Sequence, residues 1–252
     1  MRLLRVALCY DLRVLDSLQG SRLPDLLVFP ELVDGGYRKL RAGLGVHRLD
    51  DPFIARLKMA TRNTSMYLVA GSLALRTGQS QRNCSLVFHR ERVVYRYNKF
   101  HLFKPTGDDE FFVPGTRTGV FPMCMRNFRT SVGIAICYDL RFPELVRKMA
   151  VVGMDILAVP ARWSRARDDA WFSLLKARAI ENHAFVLGCN ARGPEGGYSY
   201  IFDPLGKVLY NGRKNGGADH VEVVLDLGLL RSARKMFDTV KEARLLNRGS
   251  RV

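Results

Sequence analysis

Three polar residues each close an apolar run. Glu31 ends "PDLLVFPE", Lys99 ends "RVVYRYNK", and Cys137 follows "SVGIAI". A side chain at such a place is held by rigid backbone. A thiol attacks a carbonyl or nitrile carbon when a base takes its proton and a donor holds the oxyanion. Cys137 continues into "YDLRFPELVRKMA", which predicts a tight turn and then a helix starting at Pro143. Backbone N–H groups at a turn of this kind are free to face a developing negative charge. Glu31, desolvated at the end of a strongly apolar strand, is expected to have a raised pKa and to act as base. Lys99, flanked by aromatics, is the candidate oxyanion donor. Taken singly, each residue also fits a strand-end charge or a buried core thiol.

The pentapeptide CYDLR occurs twice, at Cys9–Arg13 and at Cys137–Arg141. Around Cys9 it runs into "VLDSLQG", with no proline to start a helix. The chain also holds no second Glu–Lys pair of the same kind for it. Cys9 is therefore expected to be a small buried residue of the first strand, and Cys137 the reactive one.

The elements that must carry these residues read as mixed α/β. Many β-like runs are continuously apolar, as in "DILAVPA" and "AFVLGCN", which suits strands covered by helices. Two runs near residues 80–98 predict a hairpin. Helices are predicted at "DPFIARLKMA", with Asp51 as cap and Pro52 first, at "FPELVRKMAVVG", and at "DAWFSLLKARAIENHA" with Trp171, Leu174, Leu175 and Ala179 on one stripe. No linker divides the chain, so residues 1–252 read as one domain with a basic tail at about 231–252. Apolar residues make up 47 % of the 252, and no run is long enough to span a bilayer. The five cysteines are odd in number and scattered, which favours a reducing compartment, the cytoplasm, and gives no zinc spacing. The net charge of +16 raises nucleic-acid binding as a rival. The basic residues are spread along the whole chain with no recognition signature, which argues against it.

In this order "FPEL", "YNKFHLF" and "ICYDLRFPE" resemble the nitrilase superfamily of carbon–nitrogen hydrolases, and the resemblance runs over most of the chain. "RAIEN" at Arg178–Asn182 and "YSYIFDPLGKVL" are similar to that family's later helix and hairpin motifs. The resemblance implies a four-layer α-β-β-α sandwich, usually paired into a homodimer through helix faces. It implies Glu31 as general base, Lys99 as oxyanion donor, Cys137 as nucleophile, and Glu110, in "DDEFFVPG", as an accessory carboxylate. It implies no metal or organic cofactor. Cys-Tyr-Asp, rather than Cys-Trp-Glu, looks like the branch of ω-amidases and deaminated-glutathione amidases, whose amides also carry carboxylates. The stretch before Glu31 is short for the family, which predicts a trimmed first helix.

The expected substrate is then a small anionic amide. Arg141 is the candidate for its carboxylate, Arg162 for a second positive contact, Trp163 for a pocket wall, and Tyr37 for the entrance. The Tyr138 N–H is the expected backbone oxyanion donor. A nitrilase or an N-carbamoyl hydrolase using the same triad is the alternative. A papain-like pairing of Cys137 with His183 is a further rival.

Overall fold

The computed structural model describes residues 2–17, 23–215 and 218–243. Residues 244–252, most of the predicted basic tail after its helix, lie outside the described residues. Among the described residues fourteen strands form two sheets. The strands are β1 (Leu3–Cys9), β2 (Leu26–Val28), β3 (Val46–His47), β4 (Tyr67–Val69), β5 (Leu73–Thr77), β6 (Ser80–His89), β7 (Arg92–Asn98), β8 (Val120–Cys124), β9 (Arg129–Ile134), β10 (Ile156–Ala161), β11 (Phe185–Asn190), β12 (Tyr200–Phe202), β13 (Val208–Asn211) and β14 (His220–Asp226). The first sheet has the order β14-β1-β2-β4-β6-β5-β3, with β7 also paired to β6. The second has the order β13-β12-β11-β10-β9-β8.

Strand alternation explains why both faces of each sheet read as apolar. Leu4, Val6 and Leu8 of β1 meet Val132, Ile134, Ile156 and Phe185 of the second sheet in one core. Ala7 and Cys9, between them, point to the other face, where Ile54 and Leu57 of the Pro52–Met59 helix cover them. In β10, Ile156 and Ala158 face the first sheet. Leu157 and Val159 face the Pro143–Val151 and Asp168–Asn182 helices, through Val146, Met149, Trp171 and Leu175. The layers are thus helix, sheet, sheet, helix, as expected. Cys9 is fully buried in the first strand.

The central pairs, β1–β2, β2–β4, β9–β10 and β10–β11, are parallel. Their C-terminal ends therefore deliver successive loops to one edge. Glu31 follows β2, Cys137 follows β9, and Arg162 follows β10 directly. Lys99 follows β7, the second strand of the predicted hairpin. The Glu31 turn lies against the backbone at Gly71, whose φ is +61°. A Cβ there would lie 1.8 Å from the Pro30 carbonyl oxygen, so only glycine lets the two chains approach. Between β1 and β2 the described residues include one helical turn, Val14–Ser17.

Candidate active site

The Cys137 segment begins with backbone strain. Cys137 has φ +48°, a left-handed conformation that a residue with a Cβ seldom adopts. It opens a 3₁₀ turn, Cys137–Arg141, from which the helix at Pro143 starts. Two buried side chains hold this turn. The Asp139 carboxylate accepts from the Ile136 N–H at 3.0 Å and the Tyr97 hydroxyl at 2.7 Å. It also accepts from the His101 N–H at 2.8 Å, two residues beyond Lys99. One carboxylate thereby ties the cysteine turn to the lysine loop. The Arg178 guanidinium, from the far helix, donates twice to the Leu140 carbonyl, at 3.1 and 2.8 Å. The "RAIEN" motif thus braces the turn that presents the thiol.

Around Cys137 the structure gathers a buried ionic group. Lys99 Nζ lies 2.7 Å from Glu31 Oε1 and 2.6 Å from Asp108 Oδ2, and all three side chains are essentially inaccessible. Asn83 Nδ2 donates to Glu31 Oε1 at 2.9 Å, and the Arg162 N–H donates to Glu31 Oε2 at 3.1 Å. The Tyr37 hydroxyl donates to Asp108 and stands 3.3 Å from Glu31 Oε1. The Glu31 carboxylate is also hydrogen-bonded to the Cys137 thiol.

These neighbours decide the protonation states. Burial by itself pushes Glu31 up, but the adjacent Lys99 ammonium and the hydrogen bonds bring it below its ordinary value. The expected rise is therefore not found, because the lysine's charge outweighs desolvation. Burial pushes Lys99 down, yet Glu31, Tyr37 and Asp108 around it hold it well above its ordinary value. Burial and the Glu31 charge push the Cys137 thiol well up. The resting site is a neutral thiol beside a carboxylate and an ammonium.

The carboxylate that meets Lys99 is Asp108, where Glu110 was expected. Glu110 is exposed, two residues further along the single helical turn Asp108–Phe111. At about 100° per residue, a step of two turns a side chain away from its neighbour's partner. Asp108 faces Lys99, and the Phe103 N–H also donates to it, at 2.9 Å. Arg162 lines the pocket as expected, but the chain itself engages its guanidinium. Its guanidinium donates to the Glu31 and Leu32 carbonyls, both at 2.8 Å, and pairs with Glu195. It braces the Glu31 loop, and its backbone N–H reaches the carboxylate. Asn83 is a site residue the sequence reading missed. Its signal was a lone Asn inside "QRNCSLVFH", a strand position that disfavours it.

The remaining candidates line the pocket over Cys137: Tyr37, Tyr138, Arg141 and Trp163, with Phe103 and Arg167 beside them. Trp163 is buried, with its indole N–H donating to the Arg167 carbonyl at 2.9 Å. A wider hollow lined by Arg2, Arg129, Arg231 and Arg234 lies elsewhere and contains none of these groups. Among the described residues no cluster of His, Cys, Asp and Glu is suited to hold a metal ion.

His183 stands far from this pocket. It caps the C-terminus of the Asp168–Asn182 helix, just before β11. In the parallel β10–β11 pair Phe185 lies opposite Ile156 and Asn190 opposite Ala161. Arg162, at the thiol, follows Ala161. His183 is therefore about 20 Å away, one strand length at ~3.3 Å per residue. The His183→Ala protein is expected to keep its kcat/KM, measured by product release. A collapse without loss of fold would restore the Cys–His pairing.

The profile of the carbon-nitrogen hydrolase family matches residues 22–235. The chain belongs to the carbon-nitrogen hydrolase family. The resemblance read from the three motifs is thus borne out. A 2-oxoglutaramate amidase of Bacillus subtilis is 34 % identical over 231 residues, covering 88 % of this chain and 87 % of that protein. An omega-amidase of Escherichia coli K12 is 29 % identical over 233 residues, covering 90 % and 87 %. Among solved structures, a branch 10 member of the nitrilase superfamily from Saccharomyces cerevisiae superposes with a TM-score of 0.80. It is 21 % identical, with 96 % of this chain and 97 % of that one covered, and it supports the fold.

Proposed function

We propose that this carbon–nitrogen hydrolase is an amidase that converts a small carboxylate-bearing amide to the acid and ammonia through a Cys137 thioester. The observation that carries the reading is the buried Glu31–Lys99 pair beside the Cys137 thiol. The relatives named as amidases support the amide over the nitrile or carbamoyl alternative. Glu31 takes the thiol proton as sulfur attacks the amide carbon, forming the C–S bond. Lys99 and the Tyr138 N–H, at the start of its 3₁₀ turn, hold the oxyanion. Glu31 hands its proton to the leaving nitrogen, and the C–N bond breaks. Water, deprotonated by Glu31, then attacks the thioester, and the thiol is restored. Asp108 keeps Lys99 charged and aimed. Arg141 holds the substrate carboxylate at the mouth.

The test is ammonia release from a panel of small amides, nitriles and N-carbamoyl compounds that includes dicarboxylic monoamides. The expected result is turnover of the monoamides, lost in Cys137→Ala, Glu31→Gln and Lys99→Ala proteins that remain folded. Turnover of nitriles alone, or an active Cys137→Ala protein, would reject the reading.

Two expectations accompany it. Among the described residues no helix is long and apolar enough to cross a membrane, and all five cysteines are free, which suits a reducing cytoplasm. The helices after Cys137 and around Trp171 expose Val151, Val152 and Ile180, apolar surface that suits pairing of two copies. Sedimentation is expected to give a dimer that Val152→Glu weakens. A monomer at micromolar concentration would contradict this.

A further inference from the structure

Four cations line the pocket over Cys137: Lys99, Arg141, Arg162 and Arg167. Two are already compensated. Lys99 is bound between Glu31 and Asp108, and Arg162 pairs with Glu195. Among the described residues Arg141 and Arg167 make no ion pair. Each guanidinium lies on an aromatic face instead. Arg141 Cζ is 4.8 Å from the Trp163 ring centroid, and Arg167 Cζ is 5.2 Å from that of Phe103.

The two aromatic platforms are themselves fastened. The Trp163 backbone N–H donates to Asn190 Oδ1 at 2.8 Å, and its indole N–H to the Arg167 carbonyl. Phe103 is anchored through its N–H on Asp108, and its ring packs 4.8 Å from that of Tyr138. Stacking occupies the face of a guanidinium and leaves its in-plane N–H edges for an anion. The pocket therefore presents two positioned donors of fixed charge with no carboxylate of the chain to answer them.

One carboxylate takes one guanidinium in a bidentate pair. Both side chains keep contact with water, so a substrate with a single carboxylate answers one guanidinium and leaves the other hydrated, whereas a second anionic group gains a second charge-assisted pair. We propose that Arg141 and Arg167 form a double anion subsite, and that the preferred amides carry two negative groups at the end remote from the amide. This rests on the amidase reading, because the ligand is taken to be the acyl part of the amide that Cys137 attacks. Arg167 then sets specificity without touching the reacting atoms.

Two readouts separate the subsite from the reaction. The probes are glutaric acid monoamide and its derivative with a second carboxylate on the methylene carbon that bears the first. The first readout is kcat/KM for ammonia release. The second is calorimetric binding of the uncleaved amides to the Cys137→Ala protein. The expected result is a preference of about tenfold or more for the dianionic amide in both. Arg167→Gln should bring the ratio close to one, and added salt should shrink it in the parent protein. Equal or weaker binding of the dianionic amide overturns the proposal, as does a preference that survives Arg167→Gln. Both arginines clamping a single carboxylate would give the first of these results. Arg167-dependent binding of the dianion without ammonia release from either amide would uphold the subsite and reject the amidase reading. Ammonia release from the monocarboxylate with no preference for the dianion would do the reverse.

Discussion

Replacing Cys137 with serine is expected to lower ammonia release by at least ~10³-fold while leaving the fold in place. In the proposed mechanism the nucleophile loses its proton to Glu31. That carboxylate is held below its ordinary value by Lys99, so it is a weak base in the resting site. A thiol can still be deprotonated as the C–S bond forms, and the charge passes to an oxyanion beside Lys99. A serine hydroxyl is far less acidic and asks much more of the same base. The contrasting substitution is Cys9→Ser, in the other copy of the pentapeptide. Cys9 is fully buried on the helix-covered face of the first sheet, away from the thiol pocket. Its turnover per folded molecule is expected to match the parent. Its stability should fall by about 1–3 kcal/mol, the cost of a buried hydroxyl without a partner. Ammonia release and thermal unfolding on both variants decide the matter. A Cys137→Ser protein of parental activity would place the nucleophile elsewhere.

Replacing Asp108 with asparagine is expected to be the second large effect. Lys99 is a fully buried cation shared by two carboxylates, and Asp108 supplies the shorter contact at 2.6 Å. Asparagine keeps the shape but removes the charge. The lysine would then answer to Glu31 alone and draw that carboxylate further from its role as base. A loss of up to about 10²–10³ in kcat is expected, the size of effect when an oxyanion donor itself is lost. Breaking one side of a buried ionic group also costs about 3–5 kcal/mol of stability, so the melting temperature should drop. Glu110→Gln is the control two residues away. Its side chain is exposed, and both readouts are expected to stay at parental values. If Glu110→Gln were the damaging substitution, the register of this short helical turn would be wrong.

Asp108 and Glu110 also show where reading the sequence stops. Both are carboxylates in "DDEFFVPG" at workable distances after Lys99. Which one faces the lysine depends on the rotation of a single turn of helix, and no periodicity can be read from four residues. Arg162 shows the same limit. A guanidinium beside a pocket suggests substrate contact, yet its partners are carbonyls 130 and 131 residues away in the chain. The pKa of Glu31 differs in kind. An apolar run before a carboxylate signals desolvation, but the opposing charge is a lysine 68 residues on, brought to 2.7 Å by sheet order.

What the sequence by itself determined were the features carried by short windows of chain. Continuous apolar runs marked strands covered by helices on at least one face, and alternate residues of β1 and β10 do enter different cores. Prolines at Pro52 and Pro143 marked helix starts, since a residue without an N–H costs nothing there. Glu31, Lys99 and Cys137 stood out as polar residues closing apolar runs, and their order carried the family resemblance. Only the tertiary structure decided which further groups join them. Asn83 and the Arg162 N–H reach the triad from strands far apart in the chain, and Asp108 from a helical turn nine residues after Lys99. The protonation of Glu31, Lys99 and Cys137 depends on neighbours that the parallel strand ends of β2, β9 and β10, together with the β6–β7 hairpin, bring to one edge.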